Sequence, residues 1–278
     1  MYTECQRENR NSPNLNLGHP CFATHGHGQS GRIHLAVAPG CNISCNYCVR
    51  KFDCANESRP GVTSKVQNVE EALLTVQEAK ASAIGSKLKV VGIAGPGDPL
   101  ANQATFDTFR GVKRDFPDMI LCLSTNGLLL PEKIKELAGI GVSHLTITIN
   151  TLDEKVGAKI YSYIRWQGKT LIGPNAARIL IDNQLLGMEL ASEAGMTLKI
   201  NTVLIPGVND KLLYSLGLEI KKRGAHIHNI VPMIPQAKFA HLKAPSKELM
   251  ENCRNTIGKI LPQMRHCQQC RADAIGLL

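Results

Sequence analysis

The sequence has 278 residues, a 43% hydrophobic fraction, a net charge of +9 and ten cysteines. No run approaches the ~18 apolar residues of a membrane span, and no apolar segment follows the charges of the N-terminus, which excludes a signal peptide. The expected setting is the cytoplasm, where thiols stay reduced, so ten cysteines point to metal rather than disulfides. The basic residues are scattered through helices rather than gathered in one tract, so a solvated surface is expected and nucleic acid is not.

Residues 1–18 are polar and aperiodic and read as a flexible arm; 19–278 read as one domain, with a core over about 32–262 and a tail over 263–278. A His/Gly-rich loop follows the arm and contains Cys21, His25 and His27. Apolar strands are expected at 33–38, 88–94, 119–123, 144–149, 197–203 and 227–234. Helices are expected at 69–83, 103–115, 131–138, 176–194, 211–223 and 246–260, with residues 151–190 breaking the rhythm before the long helix. Six strand–helix units argue for an α/β fold, a parallel sheet with helices outside. In barrels of that type the chemistry sits at the C-terminal strand ends.

Nearly every polar motif follows a strand. Cys41, Cys45 and Cys48, spaced C-x3-C-x2-C after the first strand, can reach three corners of a cubane iron–sulfur cluster and leave one iron open. A structural zinc site would ask for a fourth ligand. Gly95-Pro96-Gly97-Asp98 follows the second strand, where glycines let backbone approach a ligand and Asp98 would suit an ammonium. Ser124 and Asn126 end the third strand, and Thr148 and Asn150 the fourth; each is a pocket candidate or a turn residue. Cys54 and Cys122 lie near the same strand ends, and Cys267 and Cys270 form a C-x2-C that could fold back over the opening. With Cys21 these make five cysteines converging on one cavity; Cys5 and Cys253 read as buried small residues.

The C-x3-C-x2-C loop resembles the signature of radical S-adenosylmethionine (SAM) enzymes, and six units fit their partial (βα)6 barrel. That resemblance implies SAM at the open iron, the Gly95-Pro96-Gly97-Asp98 turn holding its amino group, and Tyr47 against its adenine. A narrower resemblance rests on His19-Pro20-Cys21, Gly31-Arg32-Ile33-His34-Leu35, Cys54-Ala55-Asn56-Glu57-Ser58-Arg59-Pro60-Gly61-Val62, Gly95-Pro96-Gly97-Asp98-Pro99-Leu100-Ala101-Asn102 and Cys267-Gln268-Gln269-Cys270-Arg271-Ala272-Asp273-Ala274. These stretches resemble the NifB family of nitrogenase-cofactor maturases. Members often carry a further C-terminal, NifX-like domain; the resemblance here covers the barrel.

The family reading implies fusion of two 4Fe–4S clusters with a sulfide and a carbide into an eight-iron precursor, NifB-co. One SAM methylates a cluster sulfide, and a second gives the 5′-deoxyadenosyl radical that abstracts hydrogen from that methyl. Carried over, Cys41, Cys45 and Cys48 hold the SAM cluster. Cys54, Cys122 and a histidine, His27 with His25 as fallback, hold one precursor cluster. Cys21, Cys267 and Cys270 hold the other, and Glu57 and Arg59 sit near the reacting clusters. Implied partners are an iron–sulfur donor, a NifB-co carrier and an electron donor such as a ferredoxin or flavodoxin. The competing expectations are a radical SAM enzyme modifying a peptide or RNA with auxiliary clusters, and a non-enzymatic iron–sulfur carrier.

Overall fold

The computed structural model describes residues 19–22, 30–59 and 61–277. The arm, Cys5, His25 and His27 lie outside the described residues. In chain order the elements are β1 (Gly31–His34), β2 (Ile43–Cys45), α1 (Val69–Ala81), β3 (Leu88–Ile93), α2 (Gln103–Asp115), β4 (Ile120–Thr125) and α3 (Leu130–Ile140). Then come β5 (Val142–Thr148), α4 (Glu154–Ile160), β6 (Tyr161–Trp166), β7 (Lys169–Leu171) and α5 (Gly173–Glu193). The chain ends with β8 (Thr197–Leu204), α6 (Leu213–Lys222), β9 (Ile227–Pro232), α7 (Lys247–Gly258) and β10 (Ile275–Leu277).

The main sheet has the order β10-β1-β3-β4-β5-β8-β9. Its six sequence-expected strands are all present and parallel, and β10 adds antiparallel to β1. The sheet is a curled half-barrel, as the repeated strand–helix beat requires. Local chemistry agrees: Asn68 and Glu71 form a capping box at the start of α1, with bonds of 2.9 and 3.0 Å. Phe106 and Phe109 of α2 and Leu137 of α3 are fully buried with Leu121 and Leu145 of the sheet. Each such side chain contributes about 1.5–3 kcal/mol of burial free energy.

Residues 154–171 are what breaks the strand–helix rhythm ahead of the long helix. They form α4 and a β6–β7 hairpin, whose two-residue turn is Gln167-Gly168 at φ 48° and 73°, the geometry of a primed hairpin turn. The hairpin exists to carry β2: Ile43 pairs with Ile164, Ser44 with Tyr163 and Cys45 with Tyr161. A strand of three residues has no periodicity to read, so its partner was invisible too. The first strand is shorter than expected, because beyond His34 the chain follows β3 only through bonds such as Leu35 N to Gly92 O at 2.9 Å.

The terminal segments, expected over the barrel mouth, pack along the open side of the curled sheet. Residue Gln263 bridges His228 at the start of β9, while β10 pairs with β1, so the tail links both edges of the curled sheet. Phe22 packs with Ile227 and Met264 beside Cys21 and Cys267, near the N-terminal end of β9.

Candidate active site in two stacked cavities

Cys41, Cys45 and Cys48 line an upper cavity at the C-terminal strand ends. The loop is held on one side by β6 and on the other by the turn 95–98. Gly97 N donates to Ala38 O at 2.5 Å and Asp98 N to Gly40 O at 2.8 Å. A Cβ on Gly97 would sit 2.0 Å from the Gly40 oxygen, so only glycine permits this approach. Asn102 completes the clamp, accepting from Gly40 N and donating to Gly40 O, each at 3.0 Å.

Ser124, Thr125, Asn126, Thr148, Gly97 and Asp98 share this cavity. Asn126 donates to Asn42 at 2.7 Å and lies 4.0 Å from Cys41 Sγ. Asp98 is not free for an ammonium: its carboxylate accepts from Leu100 N at 3.0 Å, Thr125 Oγ1 at 3.0 and 3.1 Å, and Asn126 N at 2.6 Å. Burial lifts its pKa to about 6 against the pull of these donors. It acts as a brace between strand ends. Gly95 lines neither cavity and instead approaches Ala272 of the tail.

Two further expectations are corrected. Tyr47 cannot lie against a nucleobase in this cavity, because it is 1% exposed and packed among Leu128, Ile160 and Ile164. Its hydroxyl donates to Asn56 at 2.6 Å and accepts from Asn150 at 2.7 Å. Asn150 is equally spent: its Oδ1 accepts from Val203 N at 2.9 Å, and its backbone oxygen accepts from Asn209 at 2.9 Å. Both are core polar groups satisfied internally, as buried groups must be.

A lower cavity opens beneath the first. Cys21, Cys122, Cys267 and Cys270 converge on it, with Arg32, His34 and Lys199. Its strand residues Cys122 and Thr146 precede the upper-cavity residues Ser124 and Thr148 by two positions. At the rise of a strand this is one layer, roughly 6–7 Å deeper in the barrel. Glu57 and Ser124 face both cavities. Glu57 Oε1 accepts from Ser124 Oγ and, at 2.5 Å, from Asn201 Nδ2. Burial raises the Glu57 pKa, opposed by Lys199 and these donors.

The candidate ligands therefore divide by depth. Cys54 opens on the upper cavity beside the three loop cysteines, whereas Cys122 opens on the lower. Arg59 is exposed and faces neither; it lines an outer groove next to Cys270. Cys253 packs in α7 against the main core. Burial pushes the thiol pKa of Cys41 up to about 11, and raises those of Cys45, Cys54, Cys21 and Cys122. Such thiols must lose protons as they take metal. Among the described residues, no three of His, Cys, Asp and Glu close around a single ion.

Sequence reasoning missed Asn42, Asn56, Asp53, Arg32, Lys199 and Asn201. Lys199 and Asn201 had a signal: polar residues alternate there with Leu198 and Ile200 in an otherwise apolar strand, which puts both on the barrel interior. Asp53 had none, since its partners Thr63 and Ala272 are remote from it or in irregular chain.

A family profile described as the Radical SAM superfamily matches residues 35–216. The chain belongs to the radical SAM superfamily. Radical SAM membership implies a 4Fe–4S cluster and SAM, and the upper cavity fits them: it presents three buried or half-buried thiols, the soft donor set of iron–sulfur centres. Among similar proteins, "FeMo cofactor biosynthesis protein NifB" of Klebsiella pneumoniae is 48% identical over 94% of this chain and 57% of its own length. The protein of that name from Chlorobaculum tepidum is 44% identical, over 95% of this chain and 63% of its own length. The chain thus spans 57% and 63% of these two relatives. In fold it is similar to Streptococcus suis SuiB, with TM-score 0.59 and 14% identity over 85% of this chain and 47% of that one. It is also similar to methylornithine synthase PylB, with TM-score 0.52 and 13% identity over 88% and 74% of the two chains. Among the described residues no helix is long and apolar enough to cross a membrane.

Proposed function

We propose that this radical SAM chain builds the eight-iron precursor of the nitrogenase cofactor by fusing two 4Fe–4S clusters around a SAM-derived carbon and a sulfide. The observation that carries this reading is the lower cavity. Cys21, Cys122, Cys267 and Cys270 meet one layer beneath the SAM-cluster cysteines, across a wall made of Glu57 and Ser124. The similarity to proteins named for FeMo cofactor biosynthesis supports the same substrate class.

Cys41, Cys45 and Cys48 hold the SAM cluster, with Gly97, Ser124, Asn126 and Thr148 as walls of the SAM pocket. When bound, SAM would supply the methyl group and the cluster the electron that cleaves a second SAM. Cys54 on the upper cavity and Cys122 on the lower hold one substrate cluster with His27 across the Glu57–Ser124 boundary, and Cys21, Cys267 and Cys270 hold the other. Glu57 stands at the boundary: both its hydrogen bonds fall on Oε1, and burial raises its pKa against those donors and Lys199. Its Oε2 has no partner among the described residues and is free to give or take a proton. The partners are a cluster donor, a carrier for the product and a ferredoxin or flavodoxin, all in the cytoplasm.

Anaerobically reconstituted protein given SAM and a reductant should release both S-adenosylhomocysteine and 5′-deoxyadenosine. Release of 5′-deoxyadenosine alone would remove methyl transfer and with it the fusion reading.

A further inference from the structure

Lys199 stands on the inner face of β8 in the lower cavity and is 5% exposed. Among the described residues its ammonium has no carboxylate within 4.0 Å. Its contacts are Met264 Sδ at 3.9 Å and the Phe22 ring at 5.2 Å from the centroid. Both are weak partners for a full charge. Arg32, the other cation of this cavity, is already committed to Cys270 Sγ and to Gly276 O at 3.2 Å.

Removing an ammonium from water without a partner costs several kcal/mol, so a buried lysine implies an anion sharing its site. What surrounds Lys199 is sulfur. Burial alone would lower its pKa, yet Cys21, Glu57, Cys267 and Cys122 each attract the ammonium when ionised, and that pull raises it. A cubane cluster on thiolates is a net anion whose potential depends on nearby charge.

We propose that Lys199 is the anion-seating residue of the lower cavity, its ammonium compensating the charge of an iron–sulfur cluster bound by the surrounding cysteines. The inference rests on the reading of that cavity as a cluster site. It assigns Lys199 to positioning rather than catalysis. Retention and reduction potential of the bound cluster should both depend on its charge.

The test compares anaerobically reconstituted wild type, Lys199→Met and Lys199→Arg by iron content, iron loss to a chelator and EPR-monitored redox titration. Methionine keeps the length and removes the charge, and the SAM cluster's roughly four irons report folding in each variant. Lys199→Met should keep those irons and lose the remainder at least tenfold faster. Its lower-cavity potential should fall by about 59 mV or more, the equivalent of tenfold in a one-electron equilibrium. Lys199→Arg should resemble wild type. Equal retention and potential in wild type and Lys199→Met would overturn the inference alone. Recovery of wild-type retention in a Lys199→Met/Glu57→Gln pair would also overturn it, by showing that the lysine serves Glu57. Wild type that saturates at about four irons would overturn the cluster-site reading and this inference together.

Discussion

Asp53 ties the loop after the cluster cysteines to the tail that closes the barrel, and its removal should be felt in both. It is 2% exposed and accepts from Thr63 N at 3.2 Å, from Thr63 Oγ1, and from Ala272 N at 3.0 Å. Thr63 is half-buried, so in Asp53→Ala its donors can turn to water at a cost of about 1 kcal/mol. Ala272 is fully buried, and its N–H would keep no acceptor, which costs about 2–3 kcal/mol for a bond to a charged group. The expected loss is about 3–4 kcal/mol in urea unfolding. Amide exchange at Ala272 should accelerate with it, since Ser64 and Ser58 hold only neighbouring points of the tail. Asp53→Asn should recover part of the loss. A change below about 0.5 kcal/mol in Asp53→Ala, with Ala272 still protected, would refute the linkage.

Gly97→Ala should cost more than about 3 kcal/mol in urea unfolding, because a methyl 2.0 Å from the Gly40 oxygen forces backbone rather than a side chain to move. Asn68→Ala should cost about 1 kcal/mol, the value of the α1 capping box, with no effect on iron content. Acid should destabilise the fold through His228, which is fully buried and whose pKa burial lowers to about 3. The unfolded chain takes up that proton near pH 6.5 and the folded chain does not. Stability is therefore complete above about pH 6.5 and falls by about 1.4 kcal/mol per unit as pH drops toward 3. Urea midpoints at pH 7 and 5 should show this slope, shallower by one histidine in His228→Gln.

The barrel was legible because its signal is repeated: six apolar strands each followed by a polar turn and an amphipathic helix. The cysteine loop was legible by spacing. Depth was not, since a strand's sequence says which face a side chain takes but not at which layer two segments meet it. The spacing therefore could not show that Cys54 and Cys122 open on different cavities. Tyr47 and Asn150 misled for a related reason. Polar residues at strand ends serve ligands or core networks alike, and only their hydrogen-bond partners distinguish the two. Lys199 shows the reverse case, a charged residue in an apolar strand whose importance emerges only once its surroundings are seen to be sulfur.

The proposed function requires two separable iron sites, one above the other in the barrel. The direct test is the iron count and Mössbauer spectrum of anaerobically loaded protein, beside a variant with Cys41, Cys45 and Cys48 all changed to Ala. About twelve irons in the wild type and about eight in the variant, which should no longer bind SAM, are predicted. Saturation at about four irons in the wild type, or loss of all iron in the variant, would contradict it.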